Sequence, residues 1–168
     1  MAAIIPLFMA IKMPKGIFGK IDKLMTVTKK DVSESVSRHK VQVDTDGPFI
    51  SAFVIFGGEP IDDAYAEVQV MSVKNFLEHV RESIVIDTEW PDEVTDRVAY
   101  LSGMELSEDL RSRGIDKQIM KKMERQAKRK AASYMALAAE KHIIGFYEGL
   151  GYSEFDDNAF LTLMRKKL

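Results

Sequence analysis

Apolar positions along this 168-residue chain recur in two rhythms, and the rhythm switches from segment to segment. Residues 2–12 are nearly continuous in apolar side chains and read as a buried strand, closed by the turn Met13-Pro14-Lys15-Gly16. Ile17, Phe18, Ile21, Leu24 and Met25 then fall at helical spacing. Residues 28–40 read as a second short helix, with Thr28 and Asp31 placed as a capping pair. After the turn Asp44-Thr45-Asp46-Gly47-Pro48, residues 49–56 are apolar and rich in β-formers, which predicts a strand ending at Gly57-Gly58-Glu59-Pro60. Partial alternation predicts a strand over 64–73. Val73, Phe76, Leu77 and Val80 then share one face of a helix over 73–82. Residues 83–87 read as a short strand, and Trp90-Pro91-Asp92-Glu93 as a turn or short helix.

The last third is the most regular. A strand over 97–107 precedes a long helix over 111–130, in which Ile115, Ile119, Met123 and Ala127 recur at i, i+4 with Met120 beside them. That stripe is a core face. A strand of small residues follows at 132–139, then a helix at 141–150. Two final strands, 154–155 and 160–165, are joined by Asp156-Asp157-Asn158. Strand–helix alternation predicts an α/β domain with at least one parallel strand pair, and the terminal pair adds antiparallel strands. Length favours a single domain, and no repeat, low-complexity tract or linker divides the chain.

Composition changes this picture mainly by exclusion. The absence of cysteine removes disulfides, thiolate metal sites and a cysteine nucleophile. The three histidines, His39, His79 and His142, include no pair at metal-ligand spacing. The apolar start is too short to span a bilayer and contains Pro6, so the expectation is a cytoplasmic protein with no membrane partner.

Charge adds one positive signal. The net charge of −2 conceals nine Lys/Arg against Asp116 and Glu124 within residues 111–130. A basic cluster on an acidic body points to an anionic ligand at one place, although a solvated helix face explains the charge as well. A nucleic-acid surface is disfavoured by the overall acidity and by the lack of aromatics between those charges. The helix start is the sharper candidate. Its first N–H groups have no intrahelical acceptor and its dipole favours anions. Gly114 lets a phosphate approach the main chain, and Arg111 and Arg113 add cationic donors.

Two motifs bear on function. Arg111-Ser112-Arg113-Gly114-Ile115-Asp116 after a strand resembles the Gln/Arg-x-x-Gly-x-Gly/Ala pyrophosphate loop of the GNAT N-acetyltransferase superfamily. Some thirty residues on, Gly145-Phe146-Tyr147-Glu148-Gly149-Leu150-Gly151-Tyr152 resembles that family's Phe-Tyr-x-x-x-Gly-Phe motif. The resemblance covers roughly residues 98–168 and leaves 1–97 as a variable N-terminal half.

The resemblance implies a mixed, mostly antiparallel sheet flanked by helices, with a parallel strand pair at the cofactor cleft. It implies acetyl-CoA as co-substrate and direct acetyl transfer to an amine on a small molecule or protein. The loop amides of Ser112, Arg113, Gly114, Ile115, Asp116 and Lys117, with Arg111, would hold the pyrophosphate. Leu106 and Ser107, at the end of the preceding strand, would meet the pantetheine arm and the thioester carbonyl. Tyr147 would be the general acid that protonates the leaving thiolate. Dimers are common in that family, so a homodimer is a candidate state.

Three positions depart from the family pattern: Asp116 for Gly or Ala, Glu140 for Asn, and Ile143 for Ala. Simple alternation puts Tyr100, Ser102, Met104 and Leu106 on one face, with Glu105, the strand candidate for a general base, on the other unless a bulge re-aims it. His142, Glu59, Asp63 and Glu67 are further candidates among which the sequence does not choose. The departures also define a second class of function, a catalytically degenerate acetyltransferase-like binding or structural module of the kind found among bacteriophage accessory proteins.

Overall fold

The computed structural model describes residues 39–86, 88–90 and 97–168, all within one compact unit. The expected elements at 2–12, 17–25 and 28–38 lie outside the described residues, as do Pro91, Asp92 and Glu93.

Among the described residues, seven strands form one sheet in the order β1-β2-β3-β4-β5-β7-β6. They are β1 (His39–Asp46), β2 (Phe49–Phe56), β3 (Glu59–Met71), β4 (Val98–Leu106), β5 (Tyr134–Glu140), β6 (Ser153–Asp157) and β7 (Leu161–Lys167). Every neighbouring pair is antiparallel except β4–β5, which is parallel. The mixed, mostly antiparallel α/β architecture with one parallel pair is therefore as expected.

Helix α1 (Val73–His79) starts where Ser72 Oγ accepts the Asn75 amide, and it continues into a π-helical turn (Val80–Ile84). Between β4 and β5 stand the short helix α2 (Glu108–Ser112) and the long helix α3 (Ile115–Arg129). After β5 come a 3₁₀ turn (Lys141–Ile143) and helix α4 (Ile144–Glu148).

Period-2 alternation makes the sheet two-faced. Ile50, Ala52 and Val54 of β2 and Ala64, Ala66, Val68 and Val70 of β3 are buried on one face. The predicted stripe of α3, Ile115, Ile119, Met120, Met123 and Ala127, is fully buried in the same cluster. On the other face, Phe76 and Val80 pack with Val98, Tyr100, Ala136 and Leu163.

Several expectations are corrected. Residues 39–46 form a strand, outermost in the sheet among the described residues, that the sequence reading missed, so the predicted 28–40 helix does not include His39 and Lys40. Residues 83–86 are not a strand: the π-helical turn runs through Ile84 and is stopped by Val85 at φ 60°, outside strand geometry. Glu59 and Pro60 belong to β3 rather than to the preceding turn, and β3 stops at Met71, short of Val73. The long helix starts at Ile115, because Gly114 at φ 71° separates it from α2. Residues 141–150 are a 3₁₀ turn leading into a single short helix, because Gly149 and Gly151 close the segment.

The correction that matters most lies in β4. Glu67 pairs with Gly103 while Val68 pairs with Leu101, which leaves Ser102 as an extra residue. This β-bulge shifts the parity of the strand. Ala99 and Leu101 join Met104 and Leu106 on the α3 face, whereas Val98 and Tyr100 face α1. The expected single face of Tyr100, Ser102, Met104 and Leu106 is therefore broken between Leu101 and Gly103.

Candidate active site in the β4–β5 cleft

The parallel pairing of β4 and β5 covers only Val98–Leu101 against Tyr134–Leu137. Beyond it β4 stays with β3, while Ala138, Ala139 and Glu140 stay with Leu163, Thr162 and Leu161 of β7. Each strand follows its outer neighbour, so the two splay apart. A cavity of about 190 Å³ opens in the fork, with Ser102, Met104, Glu140, Tyr147 and Leu161 among its walls. A second cavity of about 160 Å³ is lined by Met104, Arg111, Asp116, Ile143, Phe146 and Tyr147. Both have Met104, Ile143 and Tyr147 in their walls, so the two adjoin and together make a slot between the α2–α3 turn and the fork. A larger hollow, about 620 Å³, lies over β1 and β2 among Lys40, Gln42, Phe56 and Gly57. Lys40 is the one ionisable residue among its described walls, so it offers no acid–base pair and is not the candidate.

Tyr147 sits in α4 and is buried, its ring against Phe146 and Tyr152 with centroids 5.0 and 5.8 Å away. Burial raises its phenol pKa above the usual value of 10.0; Arg111 works against the rise and Asp116 adds to it. The hydroxyl therefore keeps its proton at neutral pH.

Gly114 is held open by its left-handed φ of 71°, and a Cβ there would meet empty space. Its amide donates to the Arg111 carbonyl at 2.8 Å. Asp116, 8% exposed, accepts the Lys117 amide at 2.7 Å through Oδ1. Two of the amides expected at a diphosphate thus already have protein partners. Ile115 and Asp116 supply the first-turn N–H groups that lack an intrahelical acceptor.

The remaining predicted residues divide clearly. Arg111, Asp116 and Tyr147 converge on the slot. Leu106 is buried at the end of β4 and Ser107 is the N-cap of α2. Ser112 Oγ donates to the Asp109 carbonyl at 2.8 Å, and Arg113 is paired with the Asp109 carboxylate at 2.9 Å, so both side chains serve the loop itself. Ile115 is a core residue and Lys117 is exposed. Glu105 is exposed, pairs in register with Tyr65, and lies outside the walls of both cavities. His142 is tied to Glu140 at 3.3 Å. The sequence reading did not pick out Ser102, Met104 or Phe146 as wall residues; Gly103 inside a strand was the available hint of a bulge.

Part of the basic helix is structural. Lys122 Nζ donates to the Val41 carbonyl at 2.5 Å and Lys130 Nζ to the Gly47 carbonyl at 2.6 Å, tying α3 and its C-cap to β1 and the β1–β2 turn.

Residues 78–152, which hold β4, the glycine turn, β5 and α4, match the family described as Acetyltransferase (GNAT). The chain has the GNAT fold, and it carries that family's sequence pattern across this segment. Its structure resembles a PaiA N-acetyltransferase from Thermoplasma acidophilum, solved in complex with coenzyme A, at a TM-score of 0.52 and 14% identity. The match covers 72% of this chain and 62% of the Thermoplasma chain, so this chain spans under two thirds of that protein's length. It also resembles the GNAT domain of S. lividans PAT, at a TM-score of 0.53 and 13% identity over 84% of this chain and 70% of that one. No curated protein sequence gives a significant match. Among the described residues, no helix is long and apolar enough to cross a membrane.

Proposed function

We propose that this GNAT-fold protein is an N-acetyltransferase that uses acetyl-CoA and passes the acetyl group directly to an amine. The observation that supports the reading is the pair of adjoining cavities between the α2–α3 turn and the fork of β4 and β5, with the protonated Tyr147 in the walls of both. The diphosphate would lie against the Ile115 and Asp116 amides with Arg111 beside it. The β5-facing backbone edge of Gly103–Leu106, free of strand pairing on that side, would receive the pantetheine arm, with Leu106 and Ser107 at its entrance. A cavity of about 190 Å³ suits a short acyl group. Bound there, the thioester supplies an activated carbonyl. Backbone N–H groups of the β4 edge would steady the negative charge that develops on its oxygen. Tyr147 would give its proton to the departing sulfur.

Calorimetric titration with acetyl-CoA tests the binding half of this proposal. Saturable binding in the wild type, lost in Gly114→Glu, is the expected outcome. The substitution forces a side chain into a left-handed φ and adds a negative charge at the diphosphate position. Tyr147→Phe should reduce kcat by about 100-fold, the scale of a lost general acid, with little change in coenzyme A affinity. Unchanged turnover would remove Tyr147 from the mechanism.

One observation favours a second reading. The Asp116 carboxylate occupies the Lys117 amide inside the phosphate turn, as a built-in anion would. A binding module that has kept the fold without the chemistry would show no heat with acetyl-CoA even at millimolar concentration.

A further inference from the structure

We infer that Ser102 and Glu67 form a proton path for an acceptor that arrives as a primary alkylammonium ion; this rests on the acetyltransferase reading above. The two faces of the fork differ in charge. Arg111, Asp116, Phe146 and Tyr147 line the slot on the α3 and α4 side. On the opposite face the strand registers place Asp44, Ser51, Glu67 and Gly103 in one cross-strand row. Glu105 lies on that face beside Tyr65, and Glu140 beside Leu161. An amine approaching from the carboxylate face meets the thioester across the fork.

An ammonium ion has no lone pair, so one proton must leave before attack. The bulge determines where it goes. Ser102, the extra residue of β4, lines the fork cavity. Its hydroxyl lies 3.2 Å from the Glu67 carbonyl and 3.3 Å from Glu67 Oε1. Without the bulge, position 102 would have a regular partner on β3 and residues 103–106 would change faces. The local sequence Ser102-Gly103 therefore puts one hydroxyl between the cavity and a carboxylate at the solvent edge.

The steps balance. The ammonium passes a proton to Ser102 Oγ as the serine passes its own to Glu67 Oε1. The freed nitrogen lone pair forms the C–N bond at the thioester carbon. The C–S bond then breaks with its electron pair going to sulfur, which takes the Tyr147 proton. The second proton lost from nitrogen restores Tyr147, and Glu67 releases the first to water. Glu67 acts through Ser102 and so is a positioning and proton-accepting residue. The charged and titratable groups near it are Asp44 in its own row, Tyr65 and Glu105 at the next paired position, and Tyr100 opposite Gln69.

The test uses acetyl-CoA with two probe acceptors: n-butylamine, charged at neutral pH, and hydroxylamine, already neutral there. Glu67→Gln and Ser102→Ala should each lower kcat/KM for n-butylamine by about 100-fold, and the double variant should be little worse than either single one. Both should leave hydroxylamine within a few-fold of wild type, which a merely structural defect would not do. Coenzyme A affinity should be unchanged. In a readout independent of turnover, the Glu67 carboxyl carbon resonance should move on adding n-butylammonium chloride to protein saturated with coenzyme A. Equal losses with both acceptors, multiplicative effects in the double variant, a stationary resonance, or the n-butylamine defect appearing in Glu140→Gln instead would each overturn the inference. A wild type that transfers acetyl groups while Glu67→Gln is unimpaired sinks this inference alone; a wild type that does not bind acetyl-CoA sinks the parent reading with it.

Discussion

Asp116 shows how one side chain can both build a site and hinder it. At this position the family pattern has Gly or Ala. Here the buried carboxylate binds the amide of the next residue and lies close enough to Tyr147 to help raise its pKa. It stabilises the first turn of α3 as a capping carboxylate does, but places a negative charge where a diphosphate would lie. Asp116→Asn retains an oxygen acceptor and removes the charge. It should tighten coenzyme A binding about fivefold, the effect of ~1 kcal/mol for one repulsion in wet surroundings, as calorimetry would show. Looser binding would mean that the charge itself holds the turn. That Asp116 departs from the pattern is legible in the sequence. Its burial and its choice of the Lys117 amide depend on the path of the main chain through Gly114.

At the scale of elements, what matters is how helix and strand ends are held. Helix α3 and strand β7 are joined where Tyr152 donates to Glu124 at 3.1 Å and Lys166 donates to both Glu124 oxygens at 2.9 and 2.8 Å. Glu124 and Lys166 have side chains 15% and 27% exposed, so the carboxylate is the hub of a partly dry network. Glu124→Ala should cost about 1–3 kcal/mol, because it leaves a buried phenol and an ammonium without their acceptor. A urea midpoint lowered at constant slope would register that loss, and an unchanged midpoint would show the network to be solvated. The α3 stripe was readable because five buried positions repeat with the period of one helix. The β4 faces were not. Register is a property of two strands, and only pairing with β3 reveals that Ser102 is supernumerary. Strand β1 was missed for a related reason: its alternation is confined to Val41 and Val43, and such a strand is defined by the neighbour it pairs with.

For the whole molecule, three buried tyrosines set a limit on alkaline stability. Tyr100, Tyr147 and Tyr152 all have phenol pKa values raised above 10.0, each chiefly by burial. Below pH 10 these groups are neutral in both folded and unfolded chains. Above it the unfolded chain ionises first, so stability is lost as pH rises past 10. Thermal midpoints should hold steady from neutral pH to about 9 and fall beyond 10, and Tyr152→Phe should shallow that fall. A midpoint indifferent to pH up to 11 would contradict the burial.

By itself the sequence determined the class of fold, the core stripe of α3, the glycine turn and the tyrosine motif, because each is written in the spacing of neighbouring residues and in backbone preferences. Only the tertiary structure decided that β4 and β5 part after four paired residues, that Glu105 stays outside the cleft, and that Glu67 reaches it through Ser102. Those outcomes depend on pairings between distant residues, such as Ser102 with Glu67, 35 positions apart, which local periodicity does not encode.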